Sequence, residues 1–451
     1  MQPIRLIAGF FTVGAWTMLS RVFGFLRDIL LAAKLGDGPV AEAFVVAFSL
    51  PNMFRRFFAE GAFNMAFVPM FSRKLEGERD AIGFARDAFS GLAGLLIVFT
   101  LLAQIAMPWL VLAMASGFAG DVRFGLATEF GRIAFPYILF ISLAALLSGV
   151  LNATGRFAAA AAAPVLLNLT LIGAIVGADR AGWDVGLALA WGVPVAGIAQ
   201  LALVWLAAAR AGFRLIPRMP RLTPELKRLA VIAAPAMLAG GVMQINLIVG
   251  RQVASYFDGA IQYLNLADRL YQLPLGVVAI AIGVVLLPDL SRKLEADDTA
   301  GGRAAFNRAT EFALLLTVPA AVALIVIPQP VVSVLFERGA FDAEAVAATA
   351  TVTAIYGAGL PAFVLQKVLQ PLFFARSDTV TPFRCAVAAM VVNAVLAIGL
   401  APLIGFTAAA WATTLAGWAM VALLWWASRP LGAAAELDAR LRRRLLRILG
   451  A

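Results

Sequence analysis

The sequence predicts an all-α polytopic membrane protein of two six-helix lobes in parallel repeat around a central cationic cavity. Three observations predict it. Long apolar runs fill a chain poor in charge, a short motif recurs at the same place in each half, and basic residues stand inside the apolar runs.

The 451 residues are 62% hydrophobic and 14% charged, with a mean hydropathy of +0.90. Soluble domains run at about 45–50% apolar and about 25% charged. The apolar runs exceed the strands of about 10 residues that a membrane barrel uses. Helices are the other way to satisfy a backbone in lipid. With about 20 residues per crossing, twelve spans are expected, near 4–33, 42–72, 83–115, 123–150, 158–178, 185–209, 225–256, 262–291, 304–335, 344–374, 380–403 and 406–428. Pro51, Pro136, Pro274, Pro319 and Pro361 are the candidate kinks.

The loops set the orientation. Arg73, Lys74, Arg79, Arg86, Arg156, the basic residues of 210–228, Arg292, Lys293, Arg303, Arg308, Arg376, Arg384 and the C-terminal arginines fall on one side. The other side holds Lys34, Arg123, Arg132, Arg180 and Arg338. The excess of Lys and Arg places the first side, and both termini, in the cytoplasm. The first span follows only Arg5, and Arg21 and Arg27 mark it as an uncleaved span rather than a signal peptide.

Ser72-Arg-Lys-Leu-Glu76 recurs as Ser291-Arg-Lys-Leu-Glu295, an offset of 291 − 72 = 219, with Pro69 and Pro288 at matching places. Leu50-Pro51 and Leu273-Pro274 open the same spans. Six spans per half is an even number, so the halves share one orientation and are related by an axis along the membrane normal. The expected lobes are 1–210 and 225–428, joined by a Pro- and Arg-rich cytoplasmic linker at 211–224. Residues 429–451 read either as a basic surface helix or as the start of a thirteenth span.

Arg21, Arg27, Arg55, Arg56, Arg251, Arg269 and Lys367 lie within the spans, against Asp28, Glu60, Asp268 and, nearer an end, Glu42. A charge at the bilayer centre costs about 2.5–3.5 kcal/mol on insertion scales, and bundle interiors or water-filled cavities are where it is tolerated. The surplus is basic, which suits an anionic ligand. Arg21 and Asp28 share a helix face, and Gly24 between them leaves room for a ligand. Arg56 and Glu60 are four apart and form a structural pair. Arg251, near a loop, is expected to snorkel, and Lys367 to be peripheral. For Arg21, Arg27, Arg55 and Arg269 the acids run short, and the expectation is ligand binding. The planar guanidinium fork holds two phosphate oxygens at once.

Other chemistries find little support. There is no histidine, and Cys385 is the only cysteine, which removes the commonest general base and a cysteine zinc site. Nucleotide-binding and Gly-x-Ser-x-Gly motifs are missing. No cofactor or metal is called for, and the expected class is not an enzyme. The net charge of +10 lies mostly in short loops and points to membrane topology, not nucleic acid.

Leu19-Ser-Arg-Val-Phe-Gly-Phe-Leu-Arg-Asp28, Glu42-Ala-Phe-Val-Val-Ala-Phe, Leu50-Pro-Asn-Met-Phe-Arg-Arg-Phe-Phe-Ala-Glu-Gly-Ala-Phe63 and Ala267-Asp-Arg-Leu270 resemble the signatures of the MurJ (MviN) family, within the MOP exporter superfamily. The similarity spans residues 1 to about 430. The resemblance implies a lipid II flippase of peptidoglycan synthesis in the bacterial cytoplasmic membrane. Its partners would be an undecaprenyl-diphosphate-linked disaccharide-pentapeptide, membrane lipids and the cell-wall synthesis machinery. It implies that the essential cavity arginines are Arg21, Arg27, Arg55 and Arg269, with Asp28, Glu42 (where Asp is usual) and Asp268 as supporting charges. Relatives usually carry fourteen spans, the last two implied to form a groove for the lipid tail, and the twelve expected here do not include those two.

The near alternative is another MOP-type exporter of oligosaccharide-diphosphate lipids, separated from a lipid II flippase only by the family motifs. Cation-taking drug exporters should show surplus acids instead. A polyprenyl-phosphate membrane enzyme would want clustered acids or a histidine. The one acidic doublet, Asp297-Asp298, sits in an expected cytoplasmic loop.

Overall fold

The computed structural model describes residues 6–55, 62–77, 80–281, 287–296 and 298–450. Among them the regular structure is helical, apart from an isolated antiparallel bridge between Arg338 and Phe341. The first expected span is α1 (Leu6–Leu35), and the second holds α2 (Pro39–Arg55) and α3 (Ala62–Glu76). Then come α4 (Ala81–Met114), α5 (Val122–Ala134), α6 (Tyr137–Ala153), α7 (Ala158–Ala181) and α8 (Val185–Arg210). The second half holds α9 (Pro224–Ala254), α10 (Ala260–Ala281), α11 (Leu287–Glu295), α12 (Thr299–Val326) and α13 (Pro328–Phe336). It ends with α14 (Ala343–Phe374), α15 (Val380–Ile404), α16 (Thr407–Ser428) and α17 (Ala439–Gly450). Each of the twelve expected segments coincides with one described helix or with two in succession.

The interruptions between α5 and α6 and between α12 and α13 have local causes. Pro136 separates α5 from α6. Pro328 opens α13 at its first turn, where a missing N–H costs nothing. Starts are capped as helix physics requires. Asp80, Asp184, Asp298 and Asp342 each accept a backbone N–H of the first turn. α7 closes on Gly182 in the left-handed region, with the Trp183 N–H returning to the Ala178 carbonyl.

Eight segments are long and apolar enough to cross a membrane, by length and composition: α4, α5–α6, α7, α8, α12, α14, α15 and α16. Their outer faces carry exposed Leu101, Ile105, Trp109, Val395 and Leu403, as lipid-facing helices do. The protein is a multi-pass membrane protein. Outside that group, α1, α2, α9 and α10 carry Arg21, Arg27, Arg55, Arg251 and Arg269.

The chain forms two compact units, Met1–Ile248 with Arg338–Phe341, and Val249–Glu337 with Asp342–Ala451. In the first, α1 packs on α7, α7 and α6 on α8, and α2 on α5. Close approach is bought by small residues: a side chain at Gly197 would meet the Tyr137 ring at 2.8 Å, and one at Gly192 would meet Leu171 at 3.1 Å. Residues 211–223 run without helix along α4. The Arg218 N–H donates to Ser90 Oγ at 3.0 Å, and its guanidinium pairs with Asp87. In the second unit α14 is central, packed on α10, α12 and α16. Its Gly359 faces Thr414, and Gly417 of α16 faces Phe363.

Candidate functional site: charges within the helices

A cation inside an apolar helix must find anions or oxygens nearby. In the first unit the structure shows how. Arg27 is 7% exposed and Asp28 4%. Arg27 Nε and Nη2 donate to Asp28 Oδ1 at 3.0 and 2.6 Å, and Nη1 donates to Asn168 Oδ1 of α7 at 3.0 Å. The Asn168 amide in turn donates to the Ser20 carbonyl at 2.9 Å. The guanidinium also lies 5.9 Å from the centre of the Phe48 ring. Gly24 faces this same asparagine: a Cβ there would meet Asn168 Nδ2 at 3.4 Å. The space expected for a ligand beside Gly24 is therefore filled by α7. Arg21 is exposed and makes no salt bridge among the described residues.

A second buried cluster stands where α2 meets α5. Glu42 is 1% exposed, and Arg123 Nη1 donates to its Oε2 at 2.8 Å. Arg123 Nε donates to Asp121 Oδ2 at 2.6 Å, and the guanidinium stacks 4.7 Å above Phe118. Asp121 also accepts the Arg123 backbone N–H. That bond and the guanidinium hold its carboxyl below the usual carboxylate range. The sequence places Arg123 among the loop cations. The signal that could have marked it is position, since it directly follows a capping Asp and starts an apolar run.

Arg55 closes α2, half-buried. The expected pair Arg56 and Glu60 lies outside the described residues. In the second unit α10 carries Asp268 and Arg269, both half-buried. The Asp268 carboxylate accepts a hydrogen bond from the Gln272 amide. Tyr271 packs edge-on to Tyr356 at 5.1 Å and tilted to Phe363 at 5.3 Å. Lys367 is exposed on α14. Asp298 of the acidic doublet caps α12, and the described residues contain no group of three metal-ligating side chains.

The chain as a whole matches a known family. The model for the lipid II flippase MurJ matches residues 31–440. The chain belongs to the MurJ family. The probable lipid II flippase MurJ of Rhizobium meliloti (strain 1021) is 48% identical over 428 residues, covering 93% of this chain and 80% of that protein. The lipid II flippase MurJ of Burkholderia cenocepacia is 37% identical, with 89% and 80% covered. A solved MurJ lipid II flippase in an inward closed conformation superposes with a TM-score of 0.83 at 25% identity, over 97% of this chain and 89% of that one. An inward-facing multidrug resistance MATE transporter of the MOP superfamily shares the fold, with a TM-score of 0.74 at 12% identity over 95% of this chain and 99% of that one. MurJ membership places the chain among transporters of the bacterial inner membrane.

Proposed function

We propose that this chain moves lipid II from the inner to the outer leaflet of the cytoplasmic membrane by alternating access. The observation that carries the reading is the MurJ match over residues 31–440, which contains Arg55 and Arg269, while Arg21 and Arg27 lie on α1 just before it. Arg21, Arg27, Arg55 and Arg269 grip the diphosphate, and Asp28, Glu42 and Asp268 support them. The exposed Arg21 is the readiest to take a phosphate oxygen. Arg27 uses three of its N–H donors on Asp28 and Asn168, and a guanidinium has five. It can hold its neighbours and still offer two.

The lobes 1–210 and 225–428 rock about a site near the midplane, with both termini in the cytoplasm. The lipid crosses chemically unchanged. A membrane potential negative inside assists an anion moving outward by about 2.3 kcal/mol per charge per 100 mV. Cell-wall synthases are the natural recipients. The test is translocation of lipid II in vesicles with this chain as the only protein. No translocation by the folded wild-type protein, or chemical change of the lipid, would overturn the reading.

A further inference from the structure

One end of the second unit carries cations that neither the transport reading nor the fold uses. α17 lies against α12 after the turn of α16. Its seat is specific: Glu311 of α12 pairs with Arg440 and Arg444, and Arg303 pairs with Glu436 at 3.3 Å. Asn307 donates to the Glu436 carbonyl at 2.9 Å and accepts the Asp438 N–H at 3.0 Å. Leu441 is buried and Leu445, one turn on, is half-buried.

Among the described residues, the acids that face α17 or cap its neighbour are already committed. Glu311 and Glu436 are in those pairs, Asp298 accepts the Gly301 N–H at 2.8 Å, and Asp438 accepts the Leu441 N–H at 2.6 Å. Arg308, Arg429, Arg442, Arg443 and Arg447 are left exposed, with no salt bridge among the described residues. Beside them, Trp425 and Trp426 stand exposed in the last turn of α16. Exposed tryptophans at the end of a spanning helix mark the headgroup level. A row of exposed arginines at that level attracts anionic lipid.

We propose that α17 and the adjoining ends of α12 and α16 form a docking surface for anionic phospholipid headgroups of the cytoplasmic leaflet. Glu311 fixes the helix and the remaining arginines face the phosphates. The surface is independent of the lipid II reading.

The test uses the full chain in vesicles free of lipid II, with spin-labelled phosphatidylglycerol and phosphatidylcholine as probes. The wild-type protein should prefer the glycerol lipid at low salt and lose the preference at high salt. The triple variant R442Q/R443Q/R447Q should lower the preference by about five-fold for each arginine engaged. The lysine triple R442K/R443K/R447K should keep it, since attraction of this kind needs charge rather than a fork. An unchanged preference in the glutamine triple overturns the proposal. So does an equal loss from R210Q/R221Q, which removes exposed cations from the first unit. Neither variant touches the Glu311 seat, so melting of the protein should stay unchanged.

Discussion

The two units solve the same problem differently. Each half opens a span with Leu-Pro and closes it with Ser-Arg-Lys-Leu-Glu, yet the buried charges among the described residues are all in the first: Arg27, Asp28, Glu42 and Arg123. The second unit buries neutral polar groups instead, among them Gln262, Thr317, Thr349, Thr353 and Asn393. Its Asp268 and Arg269 stay half-buried. A buried ion pair adds little net stability, but removing one partner strands a charge. The first unit is therefore built to lose much from a single substitution, and the second is not.

The largest effect should come from Arg123. Arg123→Gln leaves Glu42 charged and enclosed, and should cost about 3–5 kcal/mol. Thermal unfolding in detergent measures it. The double variant Arg123→Gln, Glu42→Gln removes both charges and should recover most of the loss. A single variant as stable as the double would break the contrast between the units.

Next come the two arginines of α1, which separate gripping from holding. Arg21→Ala should abolish lipid II translocation in vesicles while melting shifts by no more than about 0.5 kcal/mol, the usual size for a surface change. Arg21→Lys should restore part of the rate, lacking the bidentate fork. Arg27→Ala should lower both translocation and stability, because Asp28 and Asn168 lose their donor. Equal melting losses for Arg21→Ala and Arg27→Ala would show that exposure does not divide the two roles.

The third comparison crosses the units. Asp28→Asn leaves Arg27 buried without its counter-charge, at about 3 kcal/mol. Asp268→Asn keeps an acceptor for the Gln272 amide and should cost only about 1 kcal/mol, the worth of an ordinary hydrogen bond. Denaturation of the two variants side by side decides it, and the reverse order would refute the assignment.

Much of this was legible in the sequence. Apolar length fixes the helices, and the break at Pro136 follows from a missing N–H. The unhelical stretch 211–223 coincides with the Pro- and Arg-rich segment expected as the linker. The basic segment after α16 forms a helix, which both of its readings require. The pairing of buried charge was not legible. Glu42 and Arg123 are 81 residues apart, and Arg27 and Asn168 are 141 apart. Such partners are joined by helix packing, which no local spacing reports. Asn168 in particular is one polar residue in an apolar run, and its role appears only when α1 lies against α7. The same packing fills the space beside Gly24.

The smallest effect concerns acid. Asp121 in the first unit and Asp378 in the second both sit just before a spanning helix, and both carboxyls are held below the usual range. For Asp121 the main cause is the Arg123 backbone N–H; for Asp378 it is hydrogen bonding from Thr381. A depressed carboxylate stabilises the fold above its unfolded pKa of about 4. That stability is lost as pH falls through the lower, folded value. Both groups are open to solvent, so screening keeps the contribution small. Melting temperature followed downward from neutral pH should therefore fall on the acid side of about 4. Asp121→Asn should flatten that fall more than Asp378→Asn, because Asp121 also steadies the guanidinium that holds Glu42. The same flattening from both variants would mean that Asp121 acts only as a helix cap, and that the buried pair between α2 and α5 stands without it.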